Sequence, residues 1–293
     1  MMDKTTSHDV TVLGCGLMGS ALARALAGGG KTVAVWNRTH HRAAALADNT
    51  LTPMREIGDA IAAAPLVLAC FATYDAALAA LEPVPDLTGT TLVNVGTGAP
   101  SEVESFGLWA GERGAAYLDG SILGYPEEIG TEGAAVLYSG SETAWAEHGE
   151  SLTLLTPVSV WVSPDVKIAS VLNVGLVGMF LVPAVSAYVE ASTFMLGQGV
   201  DQALLDAVTP AAFASVQSET ARVATAIASG DFTTDQATIV TYAQGLDGAI
   251  DVMKEAGLNP RVFAATIENL TAAVDAGLGD LGFAAQTKII TTG

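Results

Sequence analysis

Gly14, Gly16 and Gly19 take the spacing G-x-G-x-x-G inside V-T-V-L-G-C-G-L-M-G-S-A-L-A-R-A-L, the run that starts at Val10. Those residue types at that spacing suit the pyrophosphate of a dinucleotide. The first glycine permits a tight turn, the second lets backbone approach the phosphates, and the third lets a helix pack closely on a strand. A helix N-terminus then offers free N–H groups and a favourable dipole. Cys15, Leu17 and Met18 fill the positions between and join the glycines in the expected coenzyme site. Glycines alone would be a weak signal in a chain holding 31 of them. The apolar run before them and the helical pattern after them give the spacing its weight.

A second strand follows in T-V-A-V-W-N-R-T and ends at Trp36. A site for NAD places Asp or Glu there to accept hydrogen bonds from the ribose 2′-hydroxyl. Here the position reads Asn37, Arg38, Thr39, with His40, His41 and Arg42 behind. A carboxylate would repel a 2′-phosphate, whereas Arg38 and Arg42 meet one with charge-assisted hydrogen bonds. The alternative is a solvated basic turn. In a chain with 12 Lys and Arg against 31 Asp and Glu, a local basic cluster stands out. The coenzyme expected is NADP(H).

Two more strand ends should approach the same coenzyme. Cys70, Phe71 and Ala72 leave one of them, with core packing as their alternative role. Asn94-Val95-Gly96-Thr97-Gly98-Ala99-Pro100 leaves the other, and Asn94, Gly96 and Thr97 are expected beside the nicotinamide. Asn173 is the strongly polar side chain in the uncharged stretch between Lys167 and Glu190. A buried amide needs partners, either a neighbouring loop or a substrate, and its place near the start of a long helix favours the substrate. Ser121 would line the substrate end, with Asp119 as a turn cap. Leu176, Met179 and Phe180 would shape an apolar pocket; Tyr188 and Tyr242 would supply a phenol or pack in a core. The histidines (His8, His40, His41 and His148) show no spacing for a metal, and no Ser/His/Asp arrangement is present.

The elements that must position these groups are sketched by composition. The 293 residues suffice for one large domain or two ordinary ones, and half are hydrophobic. A net charge of −19 speaks against nucleic acid and anionic membrane surfaces as partners. The two cysteines, both beside the nucleotide site, do not suggest a disulfide framework, so the cytoplasm is the expected compartment. Met1 to Ser7 is polar, without the apolar core of a signal peptide. The segment from Lys167 to Glu190 is long enough to span a membrane. Its Asn173, Gly175, Gly178 and Pro183 favour a helix buried inside the protein.

Strand patterns at 10–13, 33–36, 66–70, 91–95, 116–118, 134–139 and 158–162 alternate with helical ones at 17–27, 41–47, 57–63, 76–81 and 101–113. Such alternation predicts a doubly wound parallel sheet of the Rossmann type over residues 1–163. A long helix is expected over 164–198, bent at Pro183, then an all-α domain of four or five shorter helices over 199–293. Thr209-Pro210 and Asn259-Pro260 both read as helix starts, and Gly257 as the stop of a helix beginning near Asp235. A helix extending about 45 Å needs more cover than the last hundred residues give, which predicts an obligate homodimer.

The chain resembles the imine reductase family, a branch of the 6-phosphogluconate and β-hydroxyacid dehydrogenase superfamily. The likeness spans nearly the whole sequence and is carried by V-L-G-C-G-L-M-G-S-A-L, V-W-N-R-T, L-V-N-V-G-T-G-A-P and, above all, Y-L-D-G-S-I-L-G-Y-P-E-E-I-G-T-E-G-A-A-V-L-Y-S-G from Tyr117 to Gly140. The resemblance implies NADPH, reduction of C=N bonds in imine substrates, and a domain-swapped dimer built about the long interdomain helix. The family places an Asp or Tyr where this chain has Asn173, and the dehydrogenases place a lysine near the start of that helix. Lys167 lies nearby, but the dehydrogenase pattern K-x-x-x-N meets Val171 here. The alternatives are a β-hydroxyacid or glyoxylate-type dehydrogenase and a catalytically silent NADP(H)-binding protein.

Overall fold

The computed structural model describes residues 7–291. Four-residue runs such as V-T-V-L, V-A-V-W and L-V-L-A are buried at every position. Runs apolar on both faces belong in the middle of a parallel sheet covered by helices. Eight strands form that sheet: β1 (Val10–Leu13), β2 (Val33–Trp36), β3 (Leu51–Pro53), β4 (Leu66–Ala69), β5 (Thr91–Asn94), β6 (Ala116–Leu123), β7 (Ala135–Gly140) and β8 (Val158–Ser163). Their order is β3-β2-β1-β4-β5-β6-β7-β8. The crossovers and flanking helices are α1 (Leu17–Gly28), α2 (His40–Ala44), α3 (Ile57–Ala62), α4 (Tyr74–Leu81), α5 (Pro100–Glu112) and α6 (Glu142–Leu152).

The first six strands in sequence are parallel, with β1 between β2 and β4. This is the Rossmann arrangement, and the chain reverses direction across β1 and β4, where such sheets open a ligand crevice. The parallel pattern ends at β7, which pairs antiparallel with β6. The connection from Leu123 to Ala135 holds a single 3-10 turn, Pro126–Glu128, where a parallel return would need a full crossover. Two elements carried no clear sequence signal. β3 is only three residues, L-T-P, and α6 reads E-T-A-W-A-E-H-G-E-S-L, polar on most sides. Ser141 nevertheless caps α6, accepting from the Ala144 N–H at 3.2 Å.

One apolar layer lies on each face of the sheet. Val12, Leu22, Leu26, Val35, Leu68 and Tyr138 anchor the first, and Leu13, Val67, Tyr74, Leu92, Phe106 and Tyr117 the second. The chain divides into two compact units, Met1–Phe180 and Leu181–Gly293. That division falls within the long helix. Its first part, α7 (Ile168–Asn173), opens into a π-helical stretch, Val174–Leu181, and continues as α8 (Val182–Gly197). Pro183 supplies the reason: it has no N–H for the carbonyl four residues back, and its ring crowds that carbonyl. A wider turn before the proline relieves both problems.

The expectation of a helix buried all round does not hold for the chain by itself. Ile168–Gly197 has a mean hydropathy of 2.1 over its most apolar 18-residue window, yet only 11% of that window is buried. Among the described residues it is the one helix long and apolar enough to cross a membrane.

The second unit is helical: α8, α9 (Gln202–Ser229), α10 (Ile239–Gly245), α11 (Ala249–Glu255), α12 (Arg261–Asp275) and α13 (Thr287–Ile290). Ile239, Leu270, Ala273, Leu278 and Ala285 form its core. Three expectations are corrected here. Thr209-Pro210 is no helix start, because α9 runs 28 residues with Pro210 in its interior. Asp201 caps α9 instead, accepting from the Leu204 N–H at 2.7 Å, and the Thr209 hydroxyl donates back to the Leu205 carbonyl. No single helix runs from Asp235 to Gly257. The chain breaks between α10 and α11 at Gly248, φ +77°, and ends α11 just before Gly257, φ +79°. At α12 the cap position is Pro260, one residue later than read from sequence. A proline cannot cap with its side chain, so the Glu190 carboxylate of α8 accepts from the Val262 and Phe263 N–H groups at 2.9 and 3.1 Å.

Candidate functional site

β1 ends at Leu13 and α1 begins at Leu17, leaving three residues to turn the chain. Gly14 takes φ +99°, and its N–H donates to the Trp36 carbonyl at 2.8 Å. A Cβ there would fall 2.2 Å from the Cys70 carbonyl oxygen, and one on Gly19 would fall 1.8 Å from the Gly14 oxygen. Gly16 is different: nothing lies within 4 Å of its Cβ position. Bare backbone thus faces open space at the N-terminus of α1, where no side chain caps the first N–H groups. Those uncapped donors and the missing Cβ make a cradle fitted to a pyrophosphate. Leu17 at its rim is 85% exposed.

The Cys15 N–H donates to Asn37 Oδ1 at 3.0 Å, and Asn37 Nδ2 donates to the Thr39 carbonyl at 3.1 Å. Asn37 therefore ties the end of β2 to the glycine turn. Arg38, Thr39 and Arg42 are exposed beyond it, and neither arginine makes an ion pair among the described residues. The Cys15 thiol donates to the Trp36 carbonyl at 3.4 Å. Burial pushes both Cys15 and Cys70 up to about 11, so each stays a neutral thiol near pH 7.

The ends of β4 and β5 close the crevice. The Cys70 N–H donates to the Leu13 carbonyl at 2.8 Å; Phe71 is half-buried and packs on the second apolar layer, and Ala72 is exposed. Thr73 caps α4 by accepting from the Ala76 N–H at 3.1 Å. Asn94, the last residue of β5, is 1% exposed, and both its amide atoms lack a protein partner. Leaving such a group unpaired costs about 1–3 kcal/mol, and the Tyr74 hydroxyl is the polar neighbour that acts on it. Beyond it Gly96 is half-buried and Thr97 is exposed.

Asp119 is not a turn cap. It is 1% exposed and accepts from the Tyr74 hydroxyl and, at 3.3 Å, from the Tyr117 hydroxyl. Burial pushes its carboxyl up to about 7, while the two phenol hydrogen bonds pull the other way. Ser121 is 4% exposed and, two residues on along β6, shares the sheet face of Asp119.

The first turn of α7 is pinned to this sheet. The Ser139 hydroxyl donates to the Val166 carbonyl at 2.6 Å and accepts from the Ala169 N–H at 3.0 Å. The Ser170 hydroxyl donates to the Gly98 carbonyl at 2.8 Å. Asn173 lies three residues further on the same helix face, half-buried and without a side-chain hydrogen bond among the described residues. Leu176, Met179 and Phe180 follow in the π-helical stretch and are 47%, 74% and 46% exposed. A π turn takes more residues than an α turn, so these three do not continue the face of Asn173 at the spacing an α-helix would give.

Lys167, Tyr242 and Tyr188 each make a defined contact. Lys167 Nζ donates to Glu104 Oε1 at 2.8 Å on the surface, and that bond raises its pKa. Tyr242 sets its ring edge-on against Phe283, centroids 5.3 Å apart, beside the core of the helical unit. Tyr188 hydrogen-bonds Thr209 at 2.9 Å. Sequence reasoning missed Tyr74, Ser139 and Ser170. Ser170 was visible as a polar residue one turn before Asn173, and Tyr74 as the residue after a capping Thr73; neither spacing reveals its partner.

The family model described as the NAD binding domain of 6-phosphogluconate dehydrogenase matches residues 9–163. The model described as the NADPH-dependent reductive aminase-like C-terminal domain matches residues 165–292. An NADPH-dependent reductive aminase of Aspergillus oryzae is 26% identical over 287 residues, covering 94% of this chain and 92% of that protein. A reductive aminase from Aspergillus terreus, solved in complex with NADPH4, cyclohexanone and allyl amine, is 25% identical with a TM-score of 0.90, covering 98% of this chain and 100% of that one. An imine reductase from a Pseudomonas species is 27% identical with a TM-score of 0.90 and the same coverage. On this fold, this coenzyme crevice and these matches, the chain belongs to the NADPH-dependent imine reductase family of the 6-phosphogluconate dehydrogenase superfamily.

Proposed function

We propose that this chain is an NADPH-dependent imine reductase, and that the residues at the ends of β1, β2, β4 and β5 hold its coenzyme. NADPH supplies the hydride, from nicotinamide C4, to the carbon of a C=N bond. The observation that carries the reading is the open cradle at Gly16, where no side chain caps α1 and a Cβ would meet nothing within 4 Å. Gly14 to Gly19 would receive the pyrophosphate. Arg38 and Arg42, with Thr39 between them, would receive the 2′-phosphate, and Asn37 holds that turn in place through Cys15. Cys70, Phe71 and Ala72 would flank the coenzyme, and Asn94, Gly96 and Thr97 would face its reactive ring.

Asn173 is the residue we place against the substrate nitrogen. An amide orients by donating and accepting but does not supply a proton as a general acid at neutral pH. The chemistry therefore suits an iminium that arrives protonated, held by Asn173 and Ser121 and walled by Leu176, Met179 and Phe180. Lys167 argues against a β-hydroxyacid dehydrogenase, because the group that would shuttle the alcohol proton is paired with Glu104 at the surface.

A second copy of the chain is the partner we propose for the exposed apolar faces. Val182, Val185 and Val189 on α8 and Leu204, Val208 and Phe213 on α9 are all at least half exposed, apolar side chains that a second copy would take out of water. The helical unit of that second copy, which bears Tyr242, would then close the pocket. The unpaired thiols of Cys15 and Cys70 fit the cytoplasm.

The reading is tested by NADPH oxidation with a simple cyclic imine beside a panel of β-hydroxy acids. Turnover of the imine supports it; turnover of the acids alone overturns it.

A further inference from the structure

The buried polar cluster beneath the loop that follows β5 takes no part in the reading given above. Tyr74 opens α4, and Tyr117 and Asp119 stand on β6; their exposures are 2%, 8% and 1%. A carboxyl group in such a place is costly, and an apolar side chain would fill the same room at less expense. Buried networks of this kind persist where they fix one arrangement.

What this one fixes is the loop. Asp119 lies in register with Asn94, the last residue of β5. Past Asn94 the backbone is laid directly on the Tyr74 ring: a Cβ on Gly98 would fall 2.3 Å from Tyr74 Cδ2 and 2.4 Å from Cε2. A Cβ on Gly96 would fall 3.0 Å from the Phe71 carbonyl oxygen and 3.5 Å from both Asn94 amide atoms. The ring itself is held from behind by Phe106, edge-on with centroids 5.5 Å apart, and from its hydroxyl end by Asp119. Above the loop, the Ser170 hydroxyl takes hold of the Gly98 carbonyl at 2.8 Å.

Resting on the reading that Asn94, Gly96, Thr97 and Asn173 form the reacting end of the site, we propose that Tyr74 and Asp119 are positioning residues for hydride transfer. They hold the phenol ring as a fixed bed for the Gly96–Gly98 loop, and Ser170 carries that position to the turn of α7 that bears Asn173. Neither side chain touches coenzyme or substrate. Reaction rates respond steeply to such placement, about a hundredfold for a displacement near 1 Å.

The ionisation of Asp119 gives this arrangement a signature that mere packing lacks. As a carboxylate it accepts charge-assisted bonds from both phenols at Oδ1; with a proton on Oδ2 that oxygen is a neutral carbonyl acceptor, and both bonds weaken. Burial brings that change to about pH 7. The titratable groups that act on Asp119 are Tyr74 from α4 and Tyr117 from its own strand. From α5, Glu102 is turned to the Ala99 N–H at 2.6 Å, and Lys167, before α7, is turned to Glu104. The neighbours in register on β5 and β7 are the neutral Asn94 and Ser139.

The test uses the full chain, NADPH and an N-methylated cyclic iminium ion, whose fixed charge removes the substrate's own titration. Single-turnover hydride transfer is followed by stopped flow across the neutral range, and NADPH affinity by fluorescence titration. The wild-type rate is expected to fall on the acid side of pH 7, through Asp119. Tyr74→Phe keeps the ring and removes its bond to Asp119; it is expected to slow hydride transfer about tenfold, leave NADPH affinity unchanged and flatten the pH profile. Asp119→Asn is expected to flatten the profile as well, and if it does not fold, Tyr74→Phe decides. Variants that keep the wild-type rate and profile overturn the proposal, as does a loss of rate matched by an equal loss of NADPH affinity. A wild-type protein that binds NADPH yet leaves the iminium untouched defeats the imine reductase reading itself, and this proposal with it.

Discussion

The Gly14 carbonyl oxygen lies 1.8 Å from the place a Cβ on Gly19 would occupy, whereas Gly16, between them, faces nothing within 4 Å. The same motif therefore contains glycines needed by the fold and a glycine needed by the ligand. Gly19→Ala is expected to lower thermal stability and NADPH affinity together, since backbone must shift. Gly16→Ala is expected to keep the wild-type melting temperature and to weaken NADPH at least tenfold, roughly 1.4 kcal/mol. Calorimetry beside coenzyme titration separates the two. Equal behaviour of the variants would show that Gly16 does not face the phosphates.

Arg38 and Arg42 stand exposed past the end of β2 with no ion pair among the described residues. Removing a partner of a phosphate takes away charge-assisted hydrogen bonds worth about 1.5–3 kcal/mol. Arg38→Ala is thus expected to weaken NADPH by about tenfold to a hundredfold and to leave NADH nearly unchanged. Dissociation constants for both coenzymes check this; equal losses would place the 2′-phosphate elsewhere.

Asn173 follows Ser170 by three residues on α7, and Ser170 is bonded to the Gly98 carbonyl. Placed there, an amide that orients substrate is expected to matter for the chemical step and not for coenzyme binding. Asn173→Ala should lower kcat/KM for a cyclic imine by about tenfold to a hundredfold with NADPH affinity intact. Asn173→Asp adds an ionisable group at the same position and is expected to introduce a new limb in the pH profile. Unchanged kinetics in both variants would remove Asn173 from the site.

The sheet and the coenzyme turn were legible because they are local. A four-residue buried strand, a glycine spacing and a following helix lie within one short run, and β1, β2 and α1 sit where the pattern puts them. What was hidden depends on partners far apart in sequence. Nothing near Asp119 says that Tyr74, 45 residues earlier, will donate to it, and nothing near Gly98 announces Ser170, 72 residues later. The antiparallel β7 was hidden for a different reason: strand pattern gives face and length but not direction. Pro210 misled because proline is both a helix opener and a rare interior residue, and sequence alone favours the commoner role.

Pro210 is exposed in the interior of α9 and cannot donate to the carbonyl of Asp206. Proline in an exposed helix interior costs about 3 kcal/mol relative to alanine, while its loss gives the unfolded chain about 0.4–1 kcal/mol of extra freedom. Pro210→Ala is expected to stabilise the protein by about 2 kcal/mol, read from denaturant unfolding. A destabilised variant would mean that the proline shapes a surface the partner copy needs, and the concentration dependence of the midpoint would then distinguish the two.

Asp119 titrates at about 7 in the folded protein against an ordinary value of 3.8. A carboxyl raised by folding binds its proton more tightly in the native state, so its contribution is fully present below the ordinary value. It is lost progressively as pH rises from about 4 towards 7 and stays lost above. The difference in pKa corresponds to about 4 kcal/mol across that window. Asp119→Asn removes the titration while keeping the shape, and its unfolding free energy is expected to vary less than the wild type's between pH 4 and pH 8, with the gap widest at the acid end, where the wild type gains. Urea unfolding at fixed ionic strength supplies the comparison. Parallel curves for the two proteins would show that Asp119 titrates alike folded and unfolded, and that its burial carries no proton linkage.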